Sequence, residues 1–126
     1  MPNLPICESE TRSGFGLPPN AKAALDNINP SPPHHVRLIE ADDALWLPLV
    51  ENKFDFIYVD TSHDYETVAR QIKQVRKLCH ENTVIAGDDY NDVEPTWGVQ
   101  KAVREGFKSH KVLAEIIWFA GAEDYL

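Results

Sequence analysis

Two short apolar runs separated by one amphipathic stretch constrain this chain most. Phe54-Asp-Phe-Ile-Tyr-Val59 is almost wholly aromatic and β-branched, the composition of a strand buried on both faces. Residues 64–79 follow another period: Tyr65, Val68, Ala69, Ile72, Val75 and Leu78 recur at three- and four-residue steps, which predicts a helix with one apolar face. Asp64 and Glu66 open that helix, and Arg70, Lys73, Arg76 and Lys77 follow, the order that the helix dipole favours. Thr83–Ala86 reads as a second strand. A strand, a helix and a strand in succession describe a parallel pair joined by a crossover. Further along, residues 96–108 predict a helix with Val99, Ala102, Val103 and Phe107 inward, and residues 112–119 a last strand. Upstream, Val36–Glu40 predicts a strand and Asp42–Val50 a short helix cut by Pro48. The expected class is α/β, a mostly parallel sheet flanked by helices.

The first 35 residues follow no such pattern. They carry seven of the nine prolines, and Asn29-Pro-Ser-Pro-Pro33 excludes a helix interior. Leu4–Cys7 has the makings of a short edge strand, and Ala21–Ile28 of one or two helical turns. Gly14-Phe-Gly16 lacks a preceding strand and runs into Leu17-Pro-Pro19, so it reads as a turn rather than a phosphate loop. The expected organisation is an irregular proline-rich segment over 1–35 and an α/β domain over 36–126.

Composition narrows the partners. A net charge of −8 over 126 residues argues against binding a nucleic-acid backbone, which is gripped mainly by Lys and Arg. No apolar run approaches the roughly 20 residues that span a bilayer, and no signal-peptide pattern opens the chain. Cys7 and Cys79 are far apart and form no CxxC pair, which suits a reduced, cytoplasmic protein. The five histidines have no zinc-type spacing.

In open α/β sheets, ligands gather at the carboxyl ends of the strands, and here those ends are acidic. Val36–Glu40 leads into Asp42-Asp43, Phe54–Val59 into Asp60-Thr-Ser-His63-Asp64, and Thr83–Ala86 into Gly87-Asp88-Asp89-Tyr90-Asn-Asp92. Neighbouring carboxylates repel unless a cation holds them. An oxygen-only set of Asp60, Asp88 and Asp89 suits Mg²⁺ or a similar hard divalent ion. Acids at strand–helix junctions also serve as N-caps, the plainer reading for Asp42, Asp43, Asp64 and Asp92. His63, three residues past Asp60, is placed to act as a general base near neutral pH; an exposed loop histidine is the plain alternative.

Taken in order, Phe54-Asp-Phe-Ile-Tyr-Val-Asp-Thr-Ser-His-Asp-Tyr65, an amphipathic helix, Val84-Ile-Ala-Gly-Asp-Asp-Tyr90 and Trp97-Gly-Val-Gln-Lys-Ala-Val103 resemble the second half of a class I S-adenosylmethionine-dependent methyltransferase. The resemblance covers roughly residues 36–107 and is nearest to the subgroup with an Asp-x-x-His-x-Tyr loop and a later Asp-Asp pair, similar to metal-dependent O-methyltransferases. It implies a Rossmann-like sheet, a methyl donor at the strand ends and a divalent metal. It also implies that Asp60, Asp88 and Asp89 hold the metal, that Asp60 and Asp42 contact the donor, Asp42 at its adenine, and that His63 lies beside the reacting centre.

The family's first strand and its glycine-rich donor loop have no counterpart in these residues, so the fold is expected to be incomplete. The expected function is methyl transfer to a hydroxyl or amine of a small molecule, by a fragment or a reduced homologue. The rival from another class is a catalytically inactive remnant that binds or supports. A receiver-type phosphoacceptor domain is a third reading, but it needs its acid pair early and a lysine after the last strands. An open sheet edge would also invite pairing into a homo-oligomer.

Overall fold

The apolar run ending in Val59 forms the first strand of a four-stranded sheet in the computed structural model, which describes residues 35–126 together with Ala23. The chain divides into two units between Leu49 and Val50. Strand β1 is Phe54–Val59, helix α2 Tyr65–Val75, strand β2 Cys79–Gly87, helix α3 Val99–Gly106, strand β3 Lys111–Leu113 and strand β4 Ile117–Gly121. All of them belong to the second unit. The first unit carries α1, the four-residue helix Asp43–Trp46, followed by the 3-10 turn Leu47–Leu49.

The sheet order is β1-β2-β4-β3. β1 and β2 are parallel, with Ile57 beside Ile85 and Val59 beside Gly87. β4 runs antiparallel to both β2 and β3. The sheet is therefore mixed, where the sequence predicts mostly parallel pairing. The cause is local: the stretch read as one strand over 112–119 folds back on itself. Ala114 and Glu115 take positive φ, 54° and 65°, and the Ile116 N–H donates to the Leu113 carbonyl at 3.2 Å. A tight hairpin replaces one strand by two, and a hairpin pairs its arms antiparallel.

The predicted strand at Val36–Glu40 does not form a ladder. Residues 35–40 carry no regular structure, although their exposure alternates: Val36 and Leu38 are half-buried, Arg37 and Glu40 exposed. Side-chain alternation reports a face to cover, whereas a strand also needs a neighbour, and no neighbouring strand among the described residues pairs with these. The expectations for Leu4–Cys7 and Gly14–Gly16, and for Ala21–Ile28 apart from the helical Ala23, lie outside the described residues.

One face of the sheet is covered by α2 and α3. Val68, Ile72 and Val75 of α2 and Val99, Ala102 and Val103 of α3 meet Ile85, Trp118 and Ala120 in the core, all buried. The two helices approach closely where Gly106 passes Ile72: a β-carbon on Gly106 would stand 2.9 Å from the Ile72 Cγ2. Phe107, just past α3, lies 5.8 Å from the Trp118 ring and closes this layer. Tyr125 seals the end opposite the strand tips, donating from its hydroxyl to the Ile72 carbonyl at 2.7 Å; burial pushes its ionisation far up. On the other face Phe56, Tyr58 and Val84 are exposed. No helix among the described residues is long and apolar enough to cross a membrane.

Candidate functional site at the strand ends

Because Val59 pairs with Gly87, the next residue on each strand, Asp60 and Asp88, emerges at the same edge. Glycine at position 87 is a packing requirement: a β-carbon there would meet the Trp118 indole, across on β4, at 2.5–2.6 Å. Chain direction changes at once after β2. The Asp88 Oδ1 accepts the Asp89 N–H at 2.7 Å, and Asp89 adopts φ 64°, a left-handed conformation that Asp and Asn tolerate better than most residues. Asp60 is exposed, and Asp88 and Asp89 are half-buried.

The acids feel one another. Partial burial, then the charges of Asp88 and Asp60, raise the Asp89 carboxyl above its ordinary range, while the His63 imidazole opposes them. Tyr58 reports the same crowding from β1: burial, followed by Asp88, Asp60 and Asp89, raises its phenol. Asp60, His63, Asp88 and Asp89 are thus brought into one electrostatic neighbourhood. Asp42 belongs to the first unit. There it caps α1, its Oδ1 accepting the Ala44 N–H at 3.0 Å.

The expected metal set is not assembled. No group of three His, Cys, Asp or Glu among the described residues is placed to hold a metal ion. The physical reason is visible at Asp88, whose carboxylate turns back onto the next backbone N–H, and at the left-handed Asp89, which leaves the strand direction.

Two loops frame the acids and are tied together. In the first, Asp64 N-caps α2 by accepting the Thr67 N–H at 3.0 Å, and Ser62 donates its hydroxyl to the same carboxylate. These bonds, Ser62 first, pull the Asp64 carboxyl down to about 2. In the second, residues 88–98, Asp92 at φ 45° accepts the N–H groups of Val99 at 3.0 Å and Gln100 at 3.3 Å. The N-cap residue Gly98 offers no side chain, so the first turn of α3 is capped from seven residues upstream. The Gln100 amide returns to the Tyr90 carbonyl at 2.7 Å. The Gly98 N–H donates to the His63 carbonyl at 2.9 Å, joining the loops.

Trp97 completes the frame. Its ring stacks on the imidazole of His63 with centroids 4.2 Å apart and planes 16° from parallel. The sequence places Trp97 within the predicted helix 96–108 and gives it no role at the site, whereas the helix starts only at Val99. Tyr90, directly after Asp89, is buried, and its hydroxyl pairs with the His110 Nε2 at 2.8 Å. Burial, then the Arg104 charge, lowers the His110 imidazole. Tyr65 sits on the outer surface between helices, its hydroxyl donating to Glu105 at 2.6 Å. Cys79 is a free, half-buried thiol at the opposite end of β2.

An edge of this kind, rich in carboxylates and carrying one imidazole, favours cationic ligands and offers a proton acceptor beside them. The family comparison agrees with the fold: residues 6–90, more than half of the chain, match the family described as a methyltransferase domain. Among curated proteins and among solved structures no match is found. With its α/β sheet and acidic strand ends, the chain belongs to the methyltransferase-domain family.

Proposed function

We propose that the strand-end edge is a methyl-transfer site that takes S-adenosylmethionine as donor and a hydroxyl or amine of a small molecule as acceptor. The observation that carries this reading is the meeting of Asp60, Asp88 and Asp89 at the ends of the parallel strands β1 and β2, where the charges of Asp88 and Asp60 add to burial in raising the Asp89 carboxyl. A carboxylate raised by its neighbours gains from a nearby cation. A sulfonium donor that also bears an ammonium group has the matching charge. When bound, that donor supplies an electrophilic methyl group.

The chain's own residues would do the rest. Asp60, at the tip of β1, holds the donor's polar groups. Asp88 and Asp89 keep the edge negative, which lowers the cost of bringing a cation there. His63 takes the proton from the acceptor's hydroxyl or ammonium as the nucleophile is released toward the methyl group. Holding acceptor and base in one geometry supplies much of the rate in such reactions. No step is assigned to a divalent metal.

Calorimetric titration of the chain with S-adenosylmethionine, with and without Mg²⁺, tests the reading. Saturable binding that weakens in Asp60→Asn supports it. An intact fold that binds no donor under either condition overturns it in favour of the inactive-remnant reading. Binding that appears only with Mg²⁺ would reinstate the metal-assisted branch.

A further inference from the structure

We propose that Trp97 is a positioning residue for His63, and that the indole fixes the plane in which the imidazole meets an acceptor. The inference rests on the methyl-transfer reading of the strand-end edge. His63 is exposed, and an exposed side chain samples several rotamers unless something holds it. No hydrogen bond among the described residues fixes this ring; the stack on Trp97, 4.2 Å between centroids and nearly parallel, does. A face-to-face stack restricts ring orientation while leaving both ring nitrogens at the rim, free to exchange a proton.

The backbone that carries the indole is itself held. The Trp97 backbone N–H donates to the Glu94 carbonyl at 3.0 Å, and the neighbouring Gly98 backbone N–H to the carbonyl of His63 at 2.9 Å. Half-buried Trp97 stands on the loop that begins with Asp88 and Asp89 and is anchored to α3 through Asp92. One loop therefore sets both the acids and the orientation of the imidazole they face. Their relative placement is a property of that loop, not of two independent side chains. The electrostatic effect of His63 on Asp89 fits this proximity.

The test uses the full chain and the variants Trp97→Leu and Trp97→Phe. In the wild type, the carbon-bound ring protons of His63 are expected to resonate upfield of those of a free imidazole, shifted by the indole ring current. The shift should vanish in Trp97→Leu and persist in reduced form in Trp97→Phe. With S-adenosylmethionine and a panel of simple phenols and amines as acceptors, Trp97→Leu should lower kcat by about 10- to 100-fold, the scale of a misplaced catalytic group. The KM for the donor should stay unchanged, and Trp97→Phe should recover most of the rate. His63 resonances that do not move in a folded Trp97→Leu chain overturn the proposal, as does an undiminished kcat. Failure of the wild type to bind the donor overturns the methyl-transfer reading instead, and the ring-current shift still decides whether Trp97 places His63.

Discussion

Gly98 passes so close to Tyr65 that a β-carbon on the glycine would stand 2.5 Å from the tyrosine Cβ and 3.0 Å from its Cα. This contact seats the start of α3 against the start of α2 and brings the Gly98 N–H to the His63 carbonyl. Gly98 has φ −146°, so the demand is for space and not for a left-handed backbone. Gly98→Ala should therefore destabilise the fold by about 1–3 kcal/mol, the usual cost of overpacking, measured by urea denaturation. An alanine variant as stable as the wild type would show that the two helix starts yield without cost.

Asp64 combines a helix cap with an acid-sensitive bond. Its carboxyl falls from 3.8 to about 2 in the fold, chiefly through the Ser62 hydroxyl and the Thr67 N–H. A lowered carboxyl pKa gives stability that is present above the unfolded value and lost as pH falls through the folded one. The contribution should thus fade between about pH 4 and pH 2. Asp64→Ala should cost about 1 kcal/mol at pH 7. Asp64→Asn should retain most of the cap but lose this part of the acid dependence, as thermal melts across pH 2–7 would reveal.

Asp89 should behave in the opposite sense. Its carboxyl is raised by burial and by Asp88 and Asp60, so between the unfolded value and the native one the native state binds the extra proton. Stability then falls as pH rises through that window, and the penalty persists at neutral pH. Asparagine tolerates the left-handed backbone at φ 64° and carries no charge. Asp89→Asn should accordingly gain roughly 0.5 kcal/mol at pH 7, the scale of a surface substitution, and nothing near pH 3. A variant less stable at pH 7 would mean that the carboxylate is held by a partner and not strained.

Much of this arrangement is legible in residue order because it depends on local periodicity. Val68, Ile72 and Val75 at helical spacing specify the buried face of α2, and Phe54–Val59 specifies β1 by composition alone. The crossover makes β1 and β2 parallel, so the arrival of Asp60, Asp88 and Asp89 at one edge of the sheet is foreseeable. What is hidden depends on backbone signs and on distant pairs. The turn at Ala114 and Glu115 requires positive φ from two residues with no strong preference for it, so a hairpin passes for one strand. Val36–Glu40 has the alternation of a strand, but alternation does not supply a partner. The stack of His63 on Trp97 joins residues 34 apart in sequence, and nothing in either neighbourhood announces the other.

Asp92 provides the sharpest test of how the site loop is held. It is read from sequence as a capping acid, and both of its carboxylate oxygens accept N–H groups from the first turn of α3, although Gly98 holds the N-cap position itself. Those donors lack intrahelical partners, and the N-cap glycine has no side chain to meet them. The negative charge also opposes the positive end of the helix dipole. Asp92→Ala removes both effects and puts alanine at φ 45°, a backbone it adopts poorly. The expected loss is about 1–2 kcal/mol, with faster amide hydrogen exchange at Val99 and Gln100 than elsewhere in α3. Asp92→Asn keeps the backbone conformation and one acceptor, so it should lose only about 0.3–1 kcal/mol, the charge contribution. The His63 ring resonances should also shift in Asp92→Ala, because Trp97 is carried on the loosened loop. Should exchange at Val99 and Gln100 remain slow in that variant, the cap would come from elsewhere and the loop would not depend on Asp92.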